Sequence, residues 1–177
     1  MSKVRIGTAW LGGCSGCHMS LLDLDERLVA IAPLIEIVYG PLVDPKQYPD
    51  NVDVAIVEGA VIDEENIHLL KTMRARSSLL IALGDCAVTG NVPGMRNLVG
   101  REAALERAYV ELPSAQPQVP DRIVTSLVKQ VKSIHRYVKV DVFVPGCPPS
   151  ADRIFFVLSE LLAGRMPVLD AANSTFG

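Results

Sequence analysis

Cysteine occurs four times in the 177 residues: in Cys14-Ser15-Gly16-Cys17, in Gly84-Asp85-Cys86, and in Pro145-Gly146-Cys147-Pro148-Pro149. Four thiolates are what one cubane iron–sulfur cluster requires. Each cysteine sits among glycine or proline, where the backbone can approach a bulky inorganic ligand and turn amide N–H groups toward its sulfurs. Other readings use the same residues. Tetrahedral zinc also takes four thiolates, but structural zinc sites usually pair two short C-x-x-C elements, and here one such pair is completed by two isolated cysteines. A redox dithiol suits Cys14 and Cys17, because a helix following them lowers a thiol pKa. That reading leaves Cys86 and Cys147 as small buried hydrophobes.

The elements that position these residues alternate between short apolar strands and helical patterns. Val4–Trp10 reads as a first strand, and Ser20 to Ala32 as a helix stopped by Pro33. Leu34 to Tyr39 and Val52 to Val57 follow as strands, the second apolar enough to be covered on both faces. Asp63 is placed to cap a helix from Glu64 to about Arg76, with acids in its first turn and bases near its end. Leu79 to Leu83 is a fourth strand, and Gly84 to Gly100 reads as loop. A short helix near Arg101 to Tyr109 leads into the proline-spaced segment Glu111 to Pro120. Asp121 to Ile134 reads as a helix, Val138 to Val144 as a fifth strand, and Ala151 to Leu162 as a closing helix.

Such βα alternation predicts an α/β fold: a flavodoxin-like, doubly wound parallel sheet forming a single domain over residues 1–177. Ligands of these sheets bind outside the carboxyl ends of the strands. All four cysteines follow strand ends, and so does Glu58, so they are expected to share one edge. A length of 177 residues suits one core better than two.

Composition narrows the function classes. A net charge of −3 with no polybasic tract argues against nucleic-acid binding. No apolar run approaches the roughly 18 residues of a membrane span, so no direct membrane insertion is expected. The N-terminus enters a strand without signal-peptide features, which predicts a cytoplasmic protein, where thiols stay reduced. A mean hydropathy of +0.29 without a membrane segment calls for an apolar face covered by a partner.

Glu58, at the end of a buried strand, is costly to ionise unless backbone donors meet it or function requires it. His18 could tune a cluster through a hydrogen bond to sulfur, or be a partly exposed helix-start residue. His68 and His135 lie away from the cysteine edge and read as structural. Trp10 and Met19 flank the first cysteine loop and are suited to packing or shielding.

The order and setting of four elements carry a family resemblance: Cys14-x-x-Cys17 after the first strand, Val57-Glu58-Gly59-Ala60, Gly84-Asp85-Cys86-Ala87, and Pro145-Gly146-Cys147-Pro148-Pro149-Ser150. From Val4 to Leu162 the chain resembles the small subunit of nickel-iron hydrogenases, in particular of the cytoplasmic, bidirectional NAD-reducing type. A related complex I subunit shares the Pro-Gly-Cys-Pro-Pro element. Its first two cysteines are adjacent, however, whereas two residues separate Cys14 from Cys17.

The resemblance implies that Cys14, Cys17, Cys86 and Cys147 ligate one [4Fe-4S] cluster close to a nickel-iron centre in a separate large subunit. It implies no catalytic residue in this chain, with a proton-handling role for Glu58 left open. Its expected partners are the hydrogenase large subunit and iron-sulfur and flavin diaphorase subunits, and FMN near the cluster fits this branch. Respiratory members add a C-terminal extension with cysteines for further clusters, which this sequence does not carry. They also place glutamate where Met19 stands. The alternatives are a complex I-type quinone-linked iron-sulfur subunit and, from fold alone, an FMN-binding flavodoxin-like module, for which no distinctive phosphate-binding loop is seen.

Overall fold

The computed structural model describes residues 3–112, 116–171 and 173–176. Five strands form one parallel sheet: β1 (Val4–Trp10), β2 (Ile35–Tyr39), β3 (Val52–Glu58), β5 (Ser77–Leu83) and β7 (Val142–Val144), in the order β2-β1-β3-β5-β7. The order reverses at β1 and β3, which makes the carboxyl end of these strands the switch point where such sheets bind ligands. A second, antiparallel pair joins β4 (Val61–Asp63) to β6 (Leu127–Lys132).

The period of two along the strands sends alternate residues to two cores. Val54, Ile56, Ile81 and Leu83 pack toward α1 (Gly16–Leu22), α2 (Glu26–Ile31) and α7 (Ala151–Leu162). Their neighbours Ala55, Val57, Leu80 and Ala82 pack toward Leu70 and Met73 of α3 (Glu64–Arg76). The apolar run of β3 is thus covered on both faces, as its composition predicts. Asp63 caps α3 by accepting from Asn66 N at 2.7 Å, and Ser150 caps α7 by accepting from Arg153 N.

Five expectations are corrected. The helix expected over Ser20 to Ala32 is two short helices, broken at Asp23–Asp25, where Leu24 turns into the core and Asp25 takes φ 49°. Gly84 to Gly100 is not loop but α4 (Gly84–Thr89), α5 (Asn91–Gly94) and a 3₁₀ turn (Met95–Leu98), divided by Gly90 at φ 99°. The expected helix near Arg101 to Tyr109 is α6 (Arg101–Glu106) followed by a π-helical turn to Glu111.

The largest departure is Asp121 to Ile134, expected helical, which contains strand β6. Its pairing is non-local. β4 takes one edge, while on the other the Asn97 carboxamide donates to Val131 O and accepts from Val131 N, both at 2.8 Å, as a neighbouring strand would. Arg96 and Arg101 donate to Val128 O and Leu127 O at 2.9 Å. The fifth sheet strand is correspondingly shorter than Val138 to Val144. Of the proline-spaced segment Glu111 to Pro120, residues 113–115 lie outside the described residues.

Candidate metal centre

The first cysteine loop leaves the switch point directly. Beyond Trp10, Leu11 N donates to Glu58 O at 2.9 Å, and Gly12 and Ala60 exchange two backbone hydrogen bonds of 2.8 Å. The β1 and β3 exits are therefore tied together before the chain reaches Cys14. Ser15 takes φ 66°, α1 begins at Gly16, and Cys17 is buried in its first turn while Cys14 stays exposed.

Cys86 stands in the first turn of α4 and is half-buried; Cys147 is exposed beyond β7, with a cis peptide to Pro148. Three strand ends thus deliver four cysteines to one edge of the sheet. Burial raises the pKa of Cys17, and the Glu58 carboxylate and the thiols of Cys86, Cys14 and Cys147 push it further in the same direction. Cys86 is likewise raised, first by burial and then by Cys147 and Cys14. Cys17 and Cys86 thus each feel the thiols of the other cysteines at this edge. Among the described residues, no three Cys, His, Asp or Glu side chains converge closely enough to hold a single metal ion. Four soft donors on three strand exits, with a single C-x-x-C pair among them, suit a multi-metal cluster better than a structural zinc site.

Local backbone makes room for the Cys17 sulfur. Gly84 has φ +81°, and a Cβ there would stand 2.2 Å from Cys17 Sγ, so a side chain would displace the sulfur. Asn91 Nδ2 lies 3.5 Å from Cys147 Sγ and adds a donor to the edge. When bound, an iron–sulfur cluster supplies one-electron transfer without bond chemistry; the chain's part would be to hold it through its thiolates.

Glu58 is buried beneath the first loop. Its Oε2 accepts from His18 N at 2.9 Å and lies 2.5 Å from His18 Nδ1, while Oε1 accepts from Cys17 N at 3.4 Å. Backbone donors thus meet the carboxylate, one of the two outcomes its sequence position left open. His18 is not the partly exposed helix-start residue that was one of its two readings: it is 4% exposed and packs edge-on against Trp10 at 5.4 Å. Its Nε2 and Trp10 Nε1 have no hydrogen-bond partner among the described residues. Met19 is exposed beside the loop. His68 lies exposed on α3, and His135 packs edge-on against Phe143 at 5.9 Å, both apart from the cysteine edge.

Two further residues at this edge escaped the sequence reading. Ser20 Oγ donates to Pro149 O at 2.5 Å, tying α1 to the Cys147 turn, and the buried Asp85 bonds to Gly146. The available signal was polarity in a buried turn, which is weak without knowledge of the partner.

Against known proteins, residues 14–161 match the family described as NADH ubiquinone oxidoreductase, 20 Kd subunit. The chain is 40% identical over 168 residues to the delta subunit of the NAD-reducing hydrogenase HoxS of Cupriavidus necator, covering 92% of this chain and 80% of that one. It is also 40% identical over 168 residues to a subunit of the F420-non-reducing hydrogenase of Methanocaldococcus jannaschii, covering 94% of this chain and 58% of the relative. It therefore spans little more than half the length of that relative. A chain in the crystal structure of an NAD+-reducing [NiFe]-hydrogenase in the H2-reduced state superposes with a TM-score of 0.94 at 37% identity, covering 99% of this chain and 100% of that one.

The protein belongs to the NADH ubiquinone oxidoreductase 20 kDa subunit family. Its relatives within that family include subunits of hydrogenases, the NAD-reducing one of Cupriavidus necator among them, in keeping with the resemblance carried by the four motif elements.

Proposed function

We propose that this chain is the electron-transfer small subunit of a soluble NAD-reducing nickel-iron hydrogenase, acting as one iron–sulfur-binding domain over residues 1–177. Cys14, Cys17, Cys86 and Cys147 hold one [4Fe-4S] cluster that carries electrons between a nickel-iron site in the large subunit and a diaphorase module. The carrying observation is the convergence of four thiols, delivered by three strand ends, at one edge of the sheet. Glu58 and His18 fix the backbone under Cys17, and no bond-making residue is required of this chain.

The large subunit covers the cysteine edge in this reading. Val92, Met95 and Leu98 are exposed next to Asn91, whose side chain reaches Cys147, and such a cluster of apolar side chains beside the site suits burial by a partner. With all four cysteines engaged by one cluster, electrons leave through iron-sulfur and flavin diaphorase subunits. The described residues contain no helix long and apolar enough to cross a membrane, and the assembly works in the cytoplasm in this reading.

A second reading adds FMN. A cavity of about 290 Å³ opens beyond the ends of β1 and β2, walled by Trp10 and Tyr39 with Lys46 at its side. Aromatic walls and a cation fit a flavin ring and its phosphate. The β1–α1 loop, where a doubly wound fold would cradle that phosphate, carries Cys14 and Cys17 instead. In this second reading FMN takes that cavity.

Metal and flavin analysis of anaerobically purified protein tests both. About four irons per chain, with the magnetic signature of one cluster on reduction, are expected. Stoichiometric zinc without iron overturns the cluster, and absence of acid-released flavin overturns FMN. Hydrogen-dependent quinone reduction in place of NAD reduction by the whole assembly would favour the complex I-type alternative.

A further inference from the structure

Cys86 and Cys147 are distant in sequence and have no short motif to set their spacing. The parallel pairing of β5 with β7 runs Ile81↔Val142, Ala82↔Phe143 and Leu83↔Val144. Gly84, at φ +81°, then turns the β5 exit out of strand geometry and ends the ladder. The register nevertheless continues at Asp85 and Gly146. Asp85 N donates to Gly146 O at 2.9 Å, and Gly146 N donates to Asp85 Oδ1 at 2.6 Å. In the second bond a side-chain carboxylate stands in for the backbone carbonyl that the turn has removed. Asp85 is only 6% exposed, so no water competes freely for either bond.

Both isolated cysteines come one residue after this pair. Further bonds hold the two sides of the junction: Thr89 Oγ1 donates to Asp85 O at 2.8 Å, and Ser20 Oγ donates to Pro149 O at 2.5 Å. None of them uses a thiol. The spacing of the two turns is thus set by the protein itself rather than by whatever the cysteines bind.

We propose that Asp85 is a positioning residue that latches the Cys86 turn to the Cys147 turn, fixing the separation of two of the four cluster ligands. This rests on the cluster reading given above. Removing the carboxylate leaves Gly146 N–H buried and unpaired and lets the Cys147 turn drift, so a bound cluster becomes easier to strip. Asparagine keeps an oxygen in the same place and retains the latch.

The test compares wild type, Asp85→Ala and Asp85→Asn in the anaerobically purified assembly, reading iron release to a chelator and the magnetic signature of the reduced cluster. Asp85→Ala is expected to release iron about tenfold faster, with a broadened signature, and Asp85→Asn to stay within about twofold of wild type. Equal release from wild type and Asp85→Ala overturns the latch, as does Asp85→Asn behaving like Asp85→Ala, which would assign the effect to charge. If Asp85→Ala does not accumulate, Asp85→Ser, too short to reach Gly146, replaces it. If neither folds, amide exchange in wild type decides, because fast exchange at Gly146 N–H excludes the bond. A wild type without iron removes the cluster reading instead, and the same exchange measurement then judges the latch alone.

Discussion

His18 Nδ1 lies 2.5 Å from Glu58 Oε2, and the same oxygen accepts the His18 backbone N–H at 2.9 Å. One carboxylate at the end of β3 therefore holds both the backbone and the ring of the residue after Cys17. Both side chains are almost wholly buried, so the contact is shielded from competing water. Glu58→Ala leaves two backbone N–H groups and one ring nitrogen without their acceptor. The expected loss is about 3 kcal/mol of stability in urea unfolding, with Glu58→Gln losing about half as much because one oxygen remains. Equal losses in the two variants would show that charge, not acceptor count, dominates.

Cysteine-to-serine variants test the ligand set. Cys86→Ser and Cys147→Ser should each lose or destabilise the cluster, because a cubane does not readily replace a soft thiolate. Iron content per chain is the measurement, and an unchanged value in both variants excludes them as essential ligands.

Gly84→Ala tests the space around Cys17. The new methyl would stand 2.2 Å from Cys17 Sγ and force a left-handed backbone on a residue with a side chain. Iron content should fall sharply in purified Gly84→Ala, while Gly94→Ala, whose added Cβ meets nothing within 4 Å, should match wild type.

Acid stability should depend on Asp141. Burial opposes its ionisation, but the Leu80 N–H and the Arg74 guanidinium outweigh that cost and hold its pKa below the ordinary carboxylate value. A folded pKa below the unfolded one stabilises the protein above the unfolded value and is lost as pH falls through the folded value. Wild type should therefore lose stability below about pH 4 that Asp141→Asn never had. At neutral pH the variant should be less stable by about 2 kcal/mol. Unfolding midpoints measured against pH check both, and parallel curves for the two proteins would contradict the assignment.

The exit route is testable in the assembly. Deleting the diaphorase subunit next to this chain should abolish hydrogen-dependent NAD reduction and spare hydrogen-dependent dye reduction. Full-rate NAD reduction by this chain and the large subunit alone would disprove an exit through diaphorase subunits.

Strand exits and cysteine positions were legible in the sequence because their causes are local. Short apolar runs bounded by glycine and proline mark strands, and every cysteine follows one, so the shared edge follows from the rule for parallel sheets. The Asp63 cap was similarly readable, since a cap bonds within its own first turn. Tertiary structure alone decided the rest. Leu127–Lys132 is a strand because β4 and the Asn97 carboxamide take its backbone groups, partners about thirty to seventy residues away that no local period encodes. His18 is buried because Glu58, 40 residues on, supplies its acceptor. Asp85 meets Gly146 only after β5 and β7 have paired in register. Each of these polar residues lost water on folding and had to find a bond across the fold, and which bond it found depends on how the strands were ordered.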